Sequence, residues 1–151
     1  MKGIFLLLLA LTNVYGEMLL TDIKPGSKIT ITKKILFNPA NSYPILTFQN
    51  RVIIANDSAD TNSSYCDIID PTLGTRSIQP KNYTIKTIEI ESEFKRDYYV
   101  TFYFVNSDIE LTCYSDLEGH DLTLSDFHKN YPASITLKPI LFTRSVEAPL
   151  I

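Results

Sequence analysis

Cys66 and Cys113 are the only two cysteines of the chain, and both sit inside short alternating segments, Tyr65-Cys66-Asp67-Ile68-Ile69 and Ile109-Glu110-Leu111-Thr112-Cys113-Tyr114. Alternation of polar and apolar residues is the mark of a half-buried strand, so each thiol is placed on a β-element and not in a loop. The two segments enclose much of the chain's strand signal. If the thiols pair, they close a loop of about 45 residues, which chain-entropy arguments value at about 4 kcal/mol. This one feature favours a stapled β-domain. Without C-x-x-C spacing, a structural bond is favoured over a redox or nucleophilic thiol.

Pairing needs an oxidising compartment, and the N-terminus supplies the route. Lys2 gives a short positive region, Ile4 to Leu11 an apolar one, and Val14 and Gly16 occupy the −3 and −1 positions of a cut before Glu17. Residues 1–16 are therefore read as a signal peptide, and 17–151 as a single exported domain, periplasmic or secreted. The apolar run is short for a bilayer span and no second one follows, so no stable membrane insertion is expected after cleavage. A formal net charge of −3 gives no electrostatic reason to expect nucleic acid.

Nine Tyr and eight Phe, against five Gly, favour strands over helices. Leu19–Ile23 reads as a first edge strand and Lys24-Pro25-Gly26-Ser27 as a turn. Lys28–Thr32 alternates at period two. Asn38–Pro44 is a loop rich in breakers. Ile45–Phe48 and Val52–Ala55 are strand-like, with a tight turn or bulge at Gln49-Asn50-Arg51. Asn56–Ser64 is a polar insertion, and Asp70–Thr75 is a turn. The apolar phase of Tyr83–Ile90 shifts between Ile85 and Ile88, which predicts a bulge, and Glu91–Arg96 reads as a charged connector. Asn56, Asn62 and Asn82 head three glycosylation sequons, which matter only in a eukaryotic or viral source.

The clearest element is a hairpin turning at Asn106-Ser107. It pairs Val100 with Cys113 and Phe102 with Leu111 on the core face. Tyr99 with Tyr114, Thr101 with Thr112, and Tyr103 with Glu110 fall on the other. Near the C-terminus Leu122–Lys129 holds one short helix capped by Thr123 or Ser125. Ser134–Leu137 and Ile140–Phe142 form a last strand at an edge, interrupted by Pro139. The expected fold is all-β, an antiparallel β-sandwich or, alternatively, a β-barrel, with that one helix. The disulfide is expected to join two sheets, as in immunoglobulin-like domains.

Several short pieces occur in a telling order: Phe48-Gln49-Asn50, Tyr65-Cys66, Ile78-Gln79-Pro80, Leu111-Thr112-Cys113 and Leu122-Thr123-Leu124-Ser125-Asp126-Phe127. In that order the chain resembles a group of small exported proteobacterial proteins of uncharacterised function. The group usually has Gly where this chain has Arg51. The resemblance implies an envelope or secreted location and brings no active-site residue with it.

The sequence contains no nucleophile elbow, Walker loop, H-E-x-x-H or dinucleotide fingerprint. Its two histidines, His120 and His128, flank an acid-rich stretch with Asp116, Glu118, Asp121 and Asp126. Imidazole with carboxylates suits a divalent metal, which makes His120, Asp121, Asp126 and His128 the metal candidates, although their spacing matches no named site. A hydrolytic set would be Ser115, His120 and Asp126. Against these stands the hairpin's outward stripe, Tyr99, Thr101, Tyr103, Glu110, Thr112 and Tyr114, which suits recognition of protein or glycan. The expectation is a non-catalytic binding or envelope-interaction module without a cofactor. The alternative is a small secreted enzyme or metal protein using the His120/His128 region.

Overall fold

The computed structural model describes residues 18–37, 44–55, 57–72, 77–93 and 97–140. The expected signal peptide, most of the Asn38–Pro44 loop, Asn56 and much of the Asp70–Thr75 turn lie outside them. So do residues 94–96 and everything after Ile140, including Leu141-Phe142.

The strands are β1 (Lys28–Ile31), β2 (Ile35–Leu36), β3 (Ile45–Gln49), β4 (Val52–Ile54), β5 (Tyr65–Ile69), β6 (Ser77–Ile78), β7 (Lys81–Glu93), β8 (Asp97–Phe104), β9 (Ser107–Tyr114) and β10 (Ile135–Lys138). One helix, α1 (Leu124–Asn130), precedes β10. Eight strands form a single antiparallel sheet in the order β10-β1-β7-β8-β9-β5-β3-β4, and β2 pairs with β6 in a small second sheet. The protein is thus all-β with one short helix, and the large sheet curls into a half-barrel. α1 packs against β10 at one edge and against β3 and β5 near the other, so the helix-bearing face is the concave one.

The helix forms where its caps dictate. Thr123 accepts the Asp126 backbone N–H while the Asp126 carboxylate accepts the Thr123 N–H, a reciprocal capping box. Leu124, Phe127 and Asn130 then share the inward face. Phe127 meets Phe102 edge-on at 6.2 Å and lies 4.6 Å from the Tyr131 ring, which in turn packs on Phe48 at 5.3 Å. Phe102, Phe127 and Tyr131 are fully buried, and each such side chain contributes about 2–3 kcal/mol from area alone. Packing of this kind holds a seven-residue helix that would not persist by itself.

The β8–β9 register is the one expected, with Val100 opposite Cys113 and Tyr99 opposite Tyr114. The turn is one residue earlier than expected. It falls at Val105-Asn106, with Phe104 facing Ser107 and the extra residues taken up as a bulge. Asn106 takes φ 53°, a left-handed conformation that Asn tolerates and Ser does not favour. The expected bulge of β7 lies between Ile85 and Thr87 and keeps Ile85 and Ile88 on the core side. Glu91 is no connector, since β7 runs through it to Glu93. Leu19–Ile23 is not a strand either. Leu20–Asp22 forms a 3-10 turn that buries Leu20, and Leu19 bridges to Thr123.

Cys66 and Cys113 are bonded and fully buried, with Cα atoms 4.1 Å apart. They face one another across neighbouring strands β5 and β9, so the bond lies within one sheet and does not bridge two. Among the described residues the curled sheet has no second large layer for it to reach, and α1 packs on the concave side.

Candidate functional site

The disulfide aligns β5 with β9 as strictly as the hairpin aligns β9 with β8. Rows of side chains therefore cross the convex face. The first row is Tyr65, Tyr114 and Tyr99. The second is Thr47, Asp67, Thr112, Thr101 and Glu89. The third includes Ile69, Glu110 and Tyr103. All six stripe residues expected to point away from the core lie in these rows.

The stripe is neither bare nor sealed. Thr101 and Thr112 are only 5% and 3% exposed, their hydroxyls 2.9 Å apart, whereas Tyr99, Tyr103, Tyr114 and Glu110 are half-buried. The rings lie across the sheet. Tyr65 stacks on Tyr114 at 4.7 Å and 15°, and Tyr99 lies 5.4 Å from Tyr114. Tyr99 donates its hydroxyl to Glu91, and Tyr103 donates to Glu89 at 3.1 Å. Burial and then the Glu89 carboxylate push the Tyr103 phenol up to about 12. Burial, with Asp67 and Tyr65 beside it, raises Tyr114 further. Glu110 is also raised, by burial and then by Glu89. The phenols of Tyr103 and Tyr114 therefore remain protonated donors at neutral pH.

Asp67, which lies outside the stripe expected from the sequence, is a further candidate on this face. Asp67 is 5% exposed and its pKa is raised to about 6, because burial outweighs hydrogen bonds from the Thr47 and Tyr114 side chains. Oδ1 has no partner among the described residues. The signal for it was present. Once Cys66 and Cys113 are placed opposite each other on neighbouring antiparallel strands, Asp67 stands opposite Thr112, two steps from Tyr65 on the same face. At one end of the rows an open cavity of about 480 Å³ is lined by Lys86, Glu89, Tyr103, Asp108 and Glu110.

The histidine region is arranged differently. The exposed His120 places Nδ1 2.6 Å from Asp116 Oδ2, and this bond raises the imidazole and lowers the carboxyl. Asp126 is committed to the helix cap and also accepts the Ser64 hydroxyl at 3.3 Å. The Ser115 hydroxyl accepts the Tyr98 N–H at 3.0 Å. Ser115, His120, Asp121 and Asp126 line one small cavity of about 140 Å³, but no hydrogen bond joins Ser115 to His120 or His120 to Asp126 among the described residues. His128 lines another cavity, and its Nε2 accepts the Leu137 N–H at 3.2 Å. Burial, then Arg51, lowers its pKa. Among the described residues no three His, Cys, Asp or Glu side chains converge as a metal site requires.

The site and fold together define a class only in general terms: a disulfide-bonded all-β protein with an aromatic, acidic outer face. Comparison with protein-family models, with curated proteins and with solved structures gives no match.

Proposed function

We propose that this chain is an exported, non-catalytic binding module of the cell envelope or its surroundings, and that it engages a protein or glycan partner through the convex face of its sheet. The observation that carries this reading is the row Tyr65-Tyr114-Tyr99, three adjacent rings held against the sheet and half-exposed. Tyrosines fixed in this way present apolar area and a polar rim at little cost in side-chain entropy, which is what recognition surfaces use. The neighbouring carboxylates Glu89, Glu91 and Glu110 favour a partner with hydroxyl or cationic groups. The buried disulfide is in keeping with an oxidising compartment, as is the resemblance to small exported proteobacterial proteins.

The test is capture from envelope extracts and on a glycan array with the oxidised domain immobilised. Changing Tyr65 and Tyr99 together to Ser should weaken capture by about 2 kcal/mol, some thirtyfold. Tyr114 is the wrong residue for this purpose, since it also hydrogen-bonds the buried Asp67. Unchanged capture by the Tyr65/Tyr99 double variant would refute the assignment of the face.

A further inference from the structure

The tip of the β3–β4 hairpin carries a residue that its backbone does not favour. Gln49 pairs with Val52, so Asn50 and Arg51 form a two-residue turn, with φ of 52° and 68°. Both positions of such a turn lie in the left-handed region, where Asn is tolerated first and Gly is preferred second. An arginine there clashes through its Cβ in a way glycine does not. The turn is held firmly in spite of this. Arg51 N donates to Asn130 O at 2.9 Å, and Asn50 N to Asn130 Oδ1 at 3.3 Å. Asn130 is itself buried, with its amide on Ser64 Oγ and Asp126 O. A backbone conformation held in spite of its cost points to a use for the side chain.

That side chain faces an open groove of about 490 Å³ between the hairpin tip and α1, lined by Asn50, Arg51, Ser125, His128 and Lys129. Ser125, His128 and Lys129 are spaced i, i+3, i+4 along one flank of the helix. Among the described residues no carboxylate lines the groove, although acids outnumber bases in the chain by 17 to 14. Among the described residues neither Arg51 nor Lys129 forms an ion pair, although Lys129 also borders the cavity that holds Asp116 and Asp126. Arg51 Nε donates to His128 O at 3.4 Å, which leaves the outer nitrogens of the guanidinium fork for another acceptor. His128 uses Nε2 to accept the Leu137 N–H, so the proton of the neutral ring is on Nδ1.

We propose that this groove binds a phosphate or sulfate group, held by the Arg51 fork and the Lys129 ammonium, with Asn50 and Ser125 supplying neutral contacts. Two cations lining one groove and without an ion pair among the described residues suit a compact oxyanion better than a single carboxylate, because the guanidinium fork matches its geometry. The site is separate from the tyrosine face and does not depend on it. The competing account is that Arg51 merely caps the carbonyls at the C-terminal end of α1.

The oxidised protein, labelled with ¹⁵N, is titrated with inorganic phosphate and with inorganic sulfate at constant ionic strength, with chloride as control. Saturable shifts at Asn50, Arg51, Ser125 and Lys129 are expected. Arg51→Gly should weaken binding at least tenfold with the rest of the spectrum unchanged, since glycine relieves the turn. Lys129→Gln, at an exposed position, should weaken it severalfold. A soluble sugar phosphate and vesicles containing phosphatidic acid then distinguish a free carrier from a lipid headgroup; capture of either supports the site. Shifts that do not saturate, or that chloride reproduces, overturn the proposal. So does Arg51→Gly binding phosphate and sulfate as tightly as the parent, which would leave Arg51 with the helix cap alone.

Discussion

Replacing Asp67 with Asn should stabilise the protein at neutral pH and remove a pH dependence that the parent shows. A carboxyl whose pKa rises from 3.8 unfolded to about 6 folded binds its proton more tightly in the native state. Stability from this group is therefore greatest below the unfolded value, falls as pH rises between the two values, and levels off above about 6. A rise of that size corresponds to about 3 kcal/mol. Asn keeps the shape, stays neutral and can still accept from Thr47 or Tyr114. The assay is urea unfolding of parent and variant with the disulfide intact, at pH values from 4 to 8. Subtracting one curve from the other cancels groups common to both, including Asp116 and the histidines. The variant should gain on the parent by about 2–3 kcal/mol between pH 4 and pH 7. Parallel curves would show that Asp67 is solvated and that the tyrosine rows do not exclude water from it.

Four further outcomes follow from other parts of the molecule. Non-reducing mass analysis of exported protein should find Cys66 linked to Cys113, and changing both to Ser should cost about 4 kcal/mol in urea unfolding. Thr123→Ala removes one half of the capping box and should cost about 1 kcal/mol, read by the same method. His128 has a lowered pKa and its Nε2 accepts a backbone N–H, so its contribution is present above the unfolded value of 6.5 and lost as pH falls below it. His128→Gln should flatten that acid-side loss. N-terminal sequencing of exported protein should begin at or near Glu17.

The central hairpin was legible because each pairing checks the next. Val100 with Cys113 puts Tyr99 on Tyr114 and Thr101 on Thr112, and a slip of one residue would have mixed the faces. The helix was legible from local signals, Thr123 or Ser125 as N-cap and His128-Lys129 at its end, and the structure selects Thr123. Other features depend on neighbours distant in sequence. Where the Tyr99 and Tyr103 hydroxyls find acceptors is set by Glu91 and Glu89, whose register on β8 follows from the β7 bulge. Leu20 and Ile23, three apart and both buried, fit a helical turn as well as a strand, and only their packing decides between them. Arg51 gives no sign of its left-handed backbone, because the Gln49–Val52 pairing and the Asn130 clamp impose it. The helix's place across the sheet is likewise invisible in any strand, since it packs on β10 at one margin and on β3 and β5 near the other.

A bond between neighbouring strands also has a mechanical meaning. The chain between Cys66 and Cys113, 47 positions apart, contains most of β5, all of β6, β7 and β8, and most of β9. Tension applied at the two ends of the protein passes through the sulfur bridge and never loads that loop. About 150 Å of extended chain is therefore withheld from stretching. Under load, β1, β3, β4 and β10 can be peeled away while the β7–β8–β9 core, with Tyr99 and Tyr103 on it, stays folded back on itself. A module that grips its partner through those strands would keep its grip while its margins act as an extensible tether, and reduction of one bond would convert the whole domain into slack.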